Sequence, residues 1–241
     1  MLASSARRIT ERLTDDDVVL DIGGWGDPFP RANWVMDLAP YETRGMYERR
    51  GWVHDQAPAP ERFGLETWIQ RDICDREPYP FRDDEIDFVV CSHTLEDIRD
   101  PVWVCAEMAR IGRAGYIEVP SRLEEQTYGV AGPFVGWYHH RWLADVADGR
   151  IEFVFKPHGM HLREENYFPR EFGPALAPEE RVQSLWWEGG FEYRERFFAD
   201  QESFFDYLGE FVEQTRRERP VPRAGSVRRA LRRALAQARR I

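Results

Sequence analysis

Apolar residues in the first half of the chain fall into short unbroken runs, each closed by a carboxylate, a glycine or a proline. Val18 to Ile22 reads as a buried first strand that ends in a glycine-rich turn. Asn33 to Asp37 reads as a second strand and Thr67 to Arg71 as a third, the latter followed by Asp72. Ile86 to Cys91 is apolar nearly throughout, as a central strand of a parallel sheet would be. Pro101 suits the first turn of a helix running to about Ile111. Tyr116 to Val119 makes a fifth strand, stopped by Pro120. Strands alternating with helical segments predict an α/β fold: a Rossmann-like, doubly wound, mostly parallel sheet with helices on both faces.

Beyond Ser121 the pattern changes. Residues 122 to 185 are rich in aromatics, His, Gly and Pro, with one strand candidate at Ile151 to Phe155. Phe191 to Phe198 offers a further strand, and Glu202 to Thr215 a helix. Pro220-Val221-Pro222 breaks the chain before a short basic helix from Ser226 to Ile241. The expected organisation is a core over residues 1–121, an aromatic and His-rich substrate region with the remaining strands and helix of the same domain over 122–215, and a basic tail over 216–241.

The composition is that of a folded protein, with 42% hydrophobic and 32% charged residues. No apolar run approaches the ~20 residues needed to cross a bilayer, and Met1 to Arg12 lacks the apolar stretch of a secretory signal, so the cytoplasm is the expected location. Cys74, Cys91 and Cys105 form no CxxC pair and are odd in number, which argues against a disulfide framework and a cysteine-built zinc site. Cys91, within an apolar run, reads as a small core residue. The net charge is −10, yet residues 216–241 hold ten Arg against one Glu, leaving −19 on the rest. So acidic a body is a poor general nucleic-acid binder. The basic tail could touch an anionic membrane surface weakly, although a solvated helix explains it as well.

Candidate chemistry starts at Asp21-Ile22-Gly23-Gly24-Trp25-Gly26. Glycines after a first strand let a ligand approach the backbone closely. A carboxylate directly before them would repel a pyrophosphate, and it suits a cofactor carrying a cationic sulfonium and an ammonium group. An ordinary strand-to-helix turn has the same glycines. Asp37, sixteen residues on, stands where a carboxylate can accept both hydroxyls of a ribose, and Asp72-Ile73 where one can accept an adenine amine. Either is also readable as a solvated turn.

The stretch Tyr79-Pro80-Phe81-Arg82-Asp83-Asp84-Glu85-Ile86-Asp87-Phe88-Val89-Val90-Cys91-Ser92-His93-Thr94-Leu95-Glu96-Asp97 makes the reading specific. It resembles the PF-x-D-x-x-F-D-x-V-x-x-x-H-x-L-E-H segment of class I S-adenosylmethionine-dependent methyltransferases of the small-molecule, type 11 kind. VLDIGGWGDPF, WVMDLAP and IQRDICDREPYPF precede it, and GRAGYIEVPSR follows, in the order that family requires. The resemblance covers residues 17 to 121. It implies S-adenosylmethionine as cofactor, with Asp21, Gly23 and Gly24 lining its methionine part. It further implies Asp37 with Leu38 at the ribose, Asp72 with Ile73 at the adenine, Ser92 and His93 beside the sulfonium, and Leu95 packed nearby. Two departures stand out: the glycine turn is G-G-W-G with Pro28 close behind, and Asp97 replaces the final His.

In that family the substrate-binding segments follow or interrupt the shared sheet, so the region after Ser121 is the expected acceptor site. Gly136-Trp137-Tyr138-His139-His140-Arg141-Trp142 makes a credible pocket rim, with His139 or His140 as a base for a hydroxyl acceptor. A structural cluster is the alternative. His93 is a second candidate base, although its inherited position suggests a cofactor-side role. His158 and His161 lie three apart, but Gly159 argues against the helix they would need to share a face and bind a metal, so no metal is expected. The expected function is methyl transfer to a small-molecule or glycan-type acceptor, preferably at oxygen. A cofactor-binding but non-catalytic regulatory or scaffold protein is the rival reading. A nicotinamide-dependent oxidoreductase is disfavoured by Asp21 directly ahead of the glycines.

Overall fold

The computed structural model describes residues 1–49 and 60–219, so the basic tail helix expected over 226–241 lies outside the described residues. The chain forms two compact units. The first comprises residues 1–120, 141–155 and 182–196; the second comprises 121–140, 156–181 and 197–219.

In the first unit, α1 (Ala3–Arg12) precedes β1 (Val19–Ile22), β2 (Trp34–Asp37), the short α2 (Met46–Arg49), β3 (Trp68–Gln70) and β4 (Phe88–Ser92). Then come α3 (Pro101–Ile111), β5 (Ala114–Pro120), β6 (Trp142–Ala147), β7 (Arg150–Phe155), β8 (Val182–Glu188) and β9 (Glu192–Glu195). Six strands form one sheet in the order β3-β2-β1-β4-β5-β8. The first five are parallel, and β8 runs antiparallel along the whole of β5, from Ala114 opposite Glu188 to Pro120 opposite Val182. Every predicted strand of the first half is present, displaced by no more than two residues at an end.

Alternation along the buried strands sorts their side chains onto two faces. Val19, Val35, Phe88, Val90 and Tyr116 point to one side, where Ala6 and Ile9 of α1 pack on them. Leu20, Ile22, Met36, Val89, Cys91 and Ile117 point to the other, against Val104, Met108 and Ile111 of α3. α3 has the predicted bounds because its ends are well written: Asp100 Oδ1 accepts the Trp103 N–H at 3.0 Å, Pro101 opens the first turn and Gly112 closes it. On this second face helix is supplemented by sheet. β6, β7 and β9 form a three-stranded sheet, and Trp142, Ala144, Ile151 and Phe153 join the same core. Asp148-Gly149, both at positive φ, close the two-residue hairpin between β6 and β7. All three cysteines are buried and unpaired, Cys91 among them as its apolar run implied.

The second unit carries α4 (Arg122–Glu125) and α5 (Gln201–Glu218). Phe168, Phe172, Leu176 and Val212 form its core, with Leu123 and Phe211 packed against them. The buried Arg122 guanidinium lies over the rings of Tyr207 and Phe211 at 3.9 and 4.1 Å. His158 and His161 sit on a short 3-10 helix (His158–Leu162), so a helical turn does form here despite Gly159. Both side chains face outward on the exposed part of that turn. No helix among the described residues is long and apolar enough to cross a membrane.

Candidate functional site

In an open parallel sheet, ligands collect at the carboxyl ends of the strands, where the order reverses. Here β1 and β4 are neighbours, and a crevice opens beyond their ends. Asp21, Gly23, Gly24, Ser92 and His93 line it, together with Met1, Gly26, Asp27, Phe29, Tyr47 and Val90.

The glycine turn is shaped by contact. Gly23 takes φ +79°, and a Cβ there would fall 2.2 Å from Thr94 Oγ1; a Cβ on Gly24 would fall 2.3 Å from Asp21 Oδ2. Side chains at either position would fill the cradle and push the buried carboxylate aside. Asp21 is 4% exposed, and its Oδ2 accepts the Phe29 N–H at 2.8 Å. Burial raises its carboxyl to about 7; the Phe29 bond opposes this, while Asp27 and Asp37 add to it. A carboxyl poised between neutral and ionised fits a cationic ligand, which draws it to the ionised form.

This carries a pH prediction. The unfolded chain releases the Asp21 proton near pH 4 and the folded protein only near 7, so the group costs stability increasingly across that window and fully above it. Asp21→Asn is expected to gain up to about 4 kcal/mol of stability at pH 8 and almost nothing at pH 4. Urea unfolding at the two pH values checks it, and equal gains at both would show that Asp21 is not the titrating group.

Asp37 ends β2, where its Oδ2 accepts the Trp25 N–H at 3.1 Å and its Oδ1 the Ala39 N–H at 2.9 Å. Burial raises its carboxyl, against the pull of those amides. Leu38 beside it is 67% exposed, an open apolar surface at the sheet edge. Asp72 follows β3 but is engaged elsewhere. It pairs with Arg99 and accepts the Cys74 N–H at 2.9 Å, and Arg99 holds its carboxyl below the usual range. Ile73 and Leu95 are buried in the core of the first unit, so they support the edge rather than line the crevice.

His93 turns away from the end of β4 at φ +52°, an unusual conformation for a residue other than glycine. Its Nε2 lies 3.3 Å from Glu118 Oε1 and its Nδ1 3.5 Å from Glu96 Oε1. Burial lowers the imidazole, but the bonds to Glu118 and Glu96 outweigh it and hold it up at about 9. At neutral pH His93 is therefore an imidazolium, a donor rather than a base. Glu118 is wholly buried, and Tyr116 Oη donates to its Oε2 at 2.5 Å. Burial raises this carboxyl, and His93 with its other partners brings it down to about 2. Glu96 is 1% exposed, and its Oε2 meets no hydrogen-bond donor among the described residues. Neither glutamate was singled out from the sequence, although Glu118 interrupts the apolar run Tyr116-Ile117-Glu118-Val119.

His139 and His140 belong to the second unit. His139 is exposed, whereas the His140 ring is mostly buried and its Nδ1 lies 2.6 Å from Glu125 Oε1. Trp137 stacks on His140 with ring centroids 5.9 Å apart at 28°. Phe134, Trp137 and Tyr138 on the same loop are 40%, 37% and 66% exposed, so flat aromatic faces remain open to a ligand.

Residues 52–117 match a family model described as a methyltransferase domain. No curated protein matches the chain. Among solved structures, a S-adenosylmethionine-dependent methyltransferase from Methanosarcina mazei is 18% identical, with a TM-score of 0.35, over 48% of this chain and 57% of that one. One from Aquifex aeolicus is 14% identical, with a TM-score of 0.32, over 48% and 64%. A complex from Haloferax volcanii between the Trm112 methyltransferase activator and a methyltransferase matches at 14% identity and a TM-score of 0.41, over 77% and 88%. The chain spans about half the length of the first solved chains it matches. The matched domain contains β3, β4 and α3 and ends within β5. Together with the strand order and the acidic glycine turn at the head of the crevice, residues 52–117 are where this chain is similar to a methyltransferase domain.

Proposed function

We propose that the protein transfers a methyl group from S-adenosylmethionine to a hydroxyl of a small-molecule or glycan-type acceptor. The observation that carries the cofactor part is the buried Asp21 carboxyl, poised near neutrality behind two glycines that leave no room for a side chain. When bound, S-adenosylmethionine supplies an activated methyl group for in-line displacement at carbon. In this reading Asp21, Gly23 and Gly24 hold its amino-acid end, Asp37 takes the ribose hydroxyls, and Leu38 offers apolar surface to the base. Ser92 and His93 stand at the sulfonium end, with the positive His93 ring balanced by Glu118 and Glu96. The residues at hand fit the group. Asp72 would contribute to the adenine site only by sharing its carboxylate with Arg99.

Oxygen as the methylated atom is favoured by His140. A hydroxyl must lose a proton as it is methylated, and an imidazole oriented by a carboxylate is suited to take it. For His140 that carboxylate is Glu125. Exposed Trp137 and Tyr138 rings suit the apolar faces of a sugar or a flat aromatic phenol.

Two measurements test the reading. Calorimetric titration is expected to give micromolar binding of S-adenosylmethionine and S-adenosylhomocysteine and none of NADH. A screen of hydroxylated acceptors with methyl-labelled S-adenosylmethionine is expected to give label in an ether linkage. Binding without transfer to any acceptor supports the non-catalytic reading, and absence of adenosyl binding in folded protein ends the methyltransferase reading altogether.

A further inference from the structure

Exposed aromatic rings gather on one short loop of the second unit, at Phe134, Trp137 and Tyr138. Their contacts are tilted or edge to face. Phe134 meets Tyr138 at 5.9 Å and 49°, Tyr138 meets His139 at 5.1 Å and 73°, and Trp137 meets His139 at 5.9 Å and 71°. Rings that meet at such angles do not cover one another's faces, and together they make a ledge rather than a slot.

The loop is held from beneath by a buried charge. Lys156 is the only lysine among the 33 basic residues of the chain, and only 7% of its side chain is exposed. Lysines are almost never buried unless paired. Its Nζ donates to Glu125 Oε2 and, at 2.7 Å, to the Trp137 carbonyl oxygen. That same oxygen accepts the His140 N–H at 3.3 Å and closes the turn that carries the rings. Gly136 enters the turn at φ +64°, and a Cβ there would lie 2.4 Å from the Glu125 carbonyl oxygen and 2.8 Å from Lys156 Nζ. The Trp137 side chain also reaches the Glu124 carboxylate: burial raises that carboxyl, and Arg181 and then the indole pull against it. A buried ion pair adds little net stability over apolar packing, so its contribution here is the geometry it fixes. Aromatic side chains fixed in advance lose little freedom when a ligand arrives.

The shape of the ledge bears on the ligand. A flat phenol has two apolar faces and gains most from a slot that covers both. A pyranose has an apolar face of C–H groups and carries hydroxyls around its rim, so one aromatic face serves it while the rest stays in water. We infer that Trp137 and Tyr138 form a carbohydrate-stacking site, held in place by the buried Lys156–Glu125 pair, and that the hydroxylated acceptor is a saccharide. The step from ligand to acceptor rests on the proposed methyl transfer, whereas the site itself does not.

Saturation-transfer NMR on the intact protein tests the site without turnover. The probes are the methyl glycosides of glucose, galactose and mannose, disaccharides of the same sugars, and catechol and 4-hydroxybenzoate as flat phenols. At least one saccharide is expected to receive saturation, strongest at the C–H protons of one ring face. Trp137→Ala is expected to weaken its binding about tenfold, and Trp137→Phe to keep most of it. Lys156→Met is expected to weaken it by a smaller factor, which Lys156→Arg recovers. The Trp137 variants change a partly exposed ring and decide the case even where Lys156→Met does not fold. Saturation of the phenols and of no saccharide overturns the inference, as does saccharide binding that Trp137→Ala leaves unchanged. Binding of no probe also overturns it, while micromolar binding of S-adenosylmethionine in the same sample would leave the methyltransferase reading standing. A saccharide bound through Trp137 but never methylated supports the site and counts against transfer to a hydroxyl.

Discussion

Asp37→Ala is expected to lose S-adenosylmethionine affinity by at least about two orders of magnitude. A hydrogen bond to a charged acceptor is worth about 1.5–3 kcal/mol, and a ribose offers two hydroxyls to this carboxylate. Both Asp37 oxygens already accept a backbone amide, from Trp25 and Ala39, which fixes the plane of the carboxylate and leaves each a second lone pair. The same amides mean that the variant also loosens the glycine turn. Asp37→Asn separates the two effects, since an amide can still serve Ala39 while offering only one acceptor oxygen. Calorimetry with thermal unfolding decides between them. An affinity loss shared by alanine and asparagine with a small change in Tm marks a ribose ligand, and a loss that follows Tm alone marks a structural cap.

Glu118→Leu is expected to destabilise the protein by about 3–5 kcal/mol at pH 7, as removal of one partner of a buried ion pair does. It leaves the His93 imidazolium with Glu96 alone, leaves the Tyr116 hydroxyl with Ser5 Oγ alone, and takes away the acceptor of the Leu2 N–H. The pH dependence gives the pair away. A carboxyl held at about 2 contributes stability that is complete above about pH 4.5 and lost as pH falls toward 2. An imidazole held up at about 9 contributes stability that is complete below about 6.5 and lost as pH rises through 9. The deficit of Glu118→Leu should therefore be largest between about pH 4.5 and 6.5 and shrink on either side. A deficit flat with pH in urea unfolding would mean that packing, not charge, is what Glu118 provides.

The sheet was readable because its strands are buried on both faces, which leaves apolar runs such as Val18-Val19-Leu20 that no surface element would show. What escaped has the opposite character. β8 at the sheet edge buries only Leu185 and Trp187, and α1 buries only Ala6 and Ile9. β6 hides among aromatics, although Asp148-Gly149 marked its hairpin. At the site, the residues fixed by backbone direction, Asp21, Gly23, Gly24, Ser92 and His93, line one crevice. Asp72 and Leu95 depend instead on side-chain partners. Arg99, 27 residues on, captures Asp72, and the core takes Leu95. The pairs Glu118 with His93 and Lys156 with Glu125 are 25 and 31 residues apart, distances over which spacing carries no signature.

The pairing of β5 with β8 also sets a timetable. β5 leaves the ribosome 62 residues ahead of Val182, where its antiparallel neighbour begins, and at about 5–20 residues per second the gap lasts roughly 3–12 seconds. Throughout that interval seven residues that end up fully buried, Ala114 to Pro120, present an unpaired strand edge. The nascent chain is then a template for β-pairing with its neighbours on the same message, and Glu118, costly in the finished core, is the one charge that keeps that edge from being uniformly apolar. The residue that pairs with His93 in the mature protein is thus also the single charge on that edge of the nascent chain.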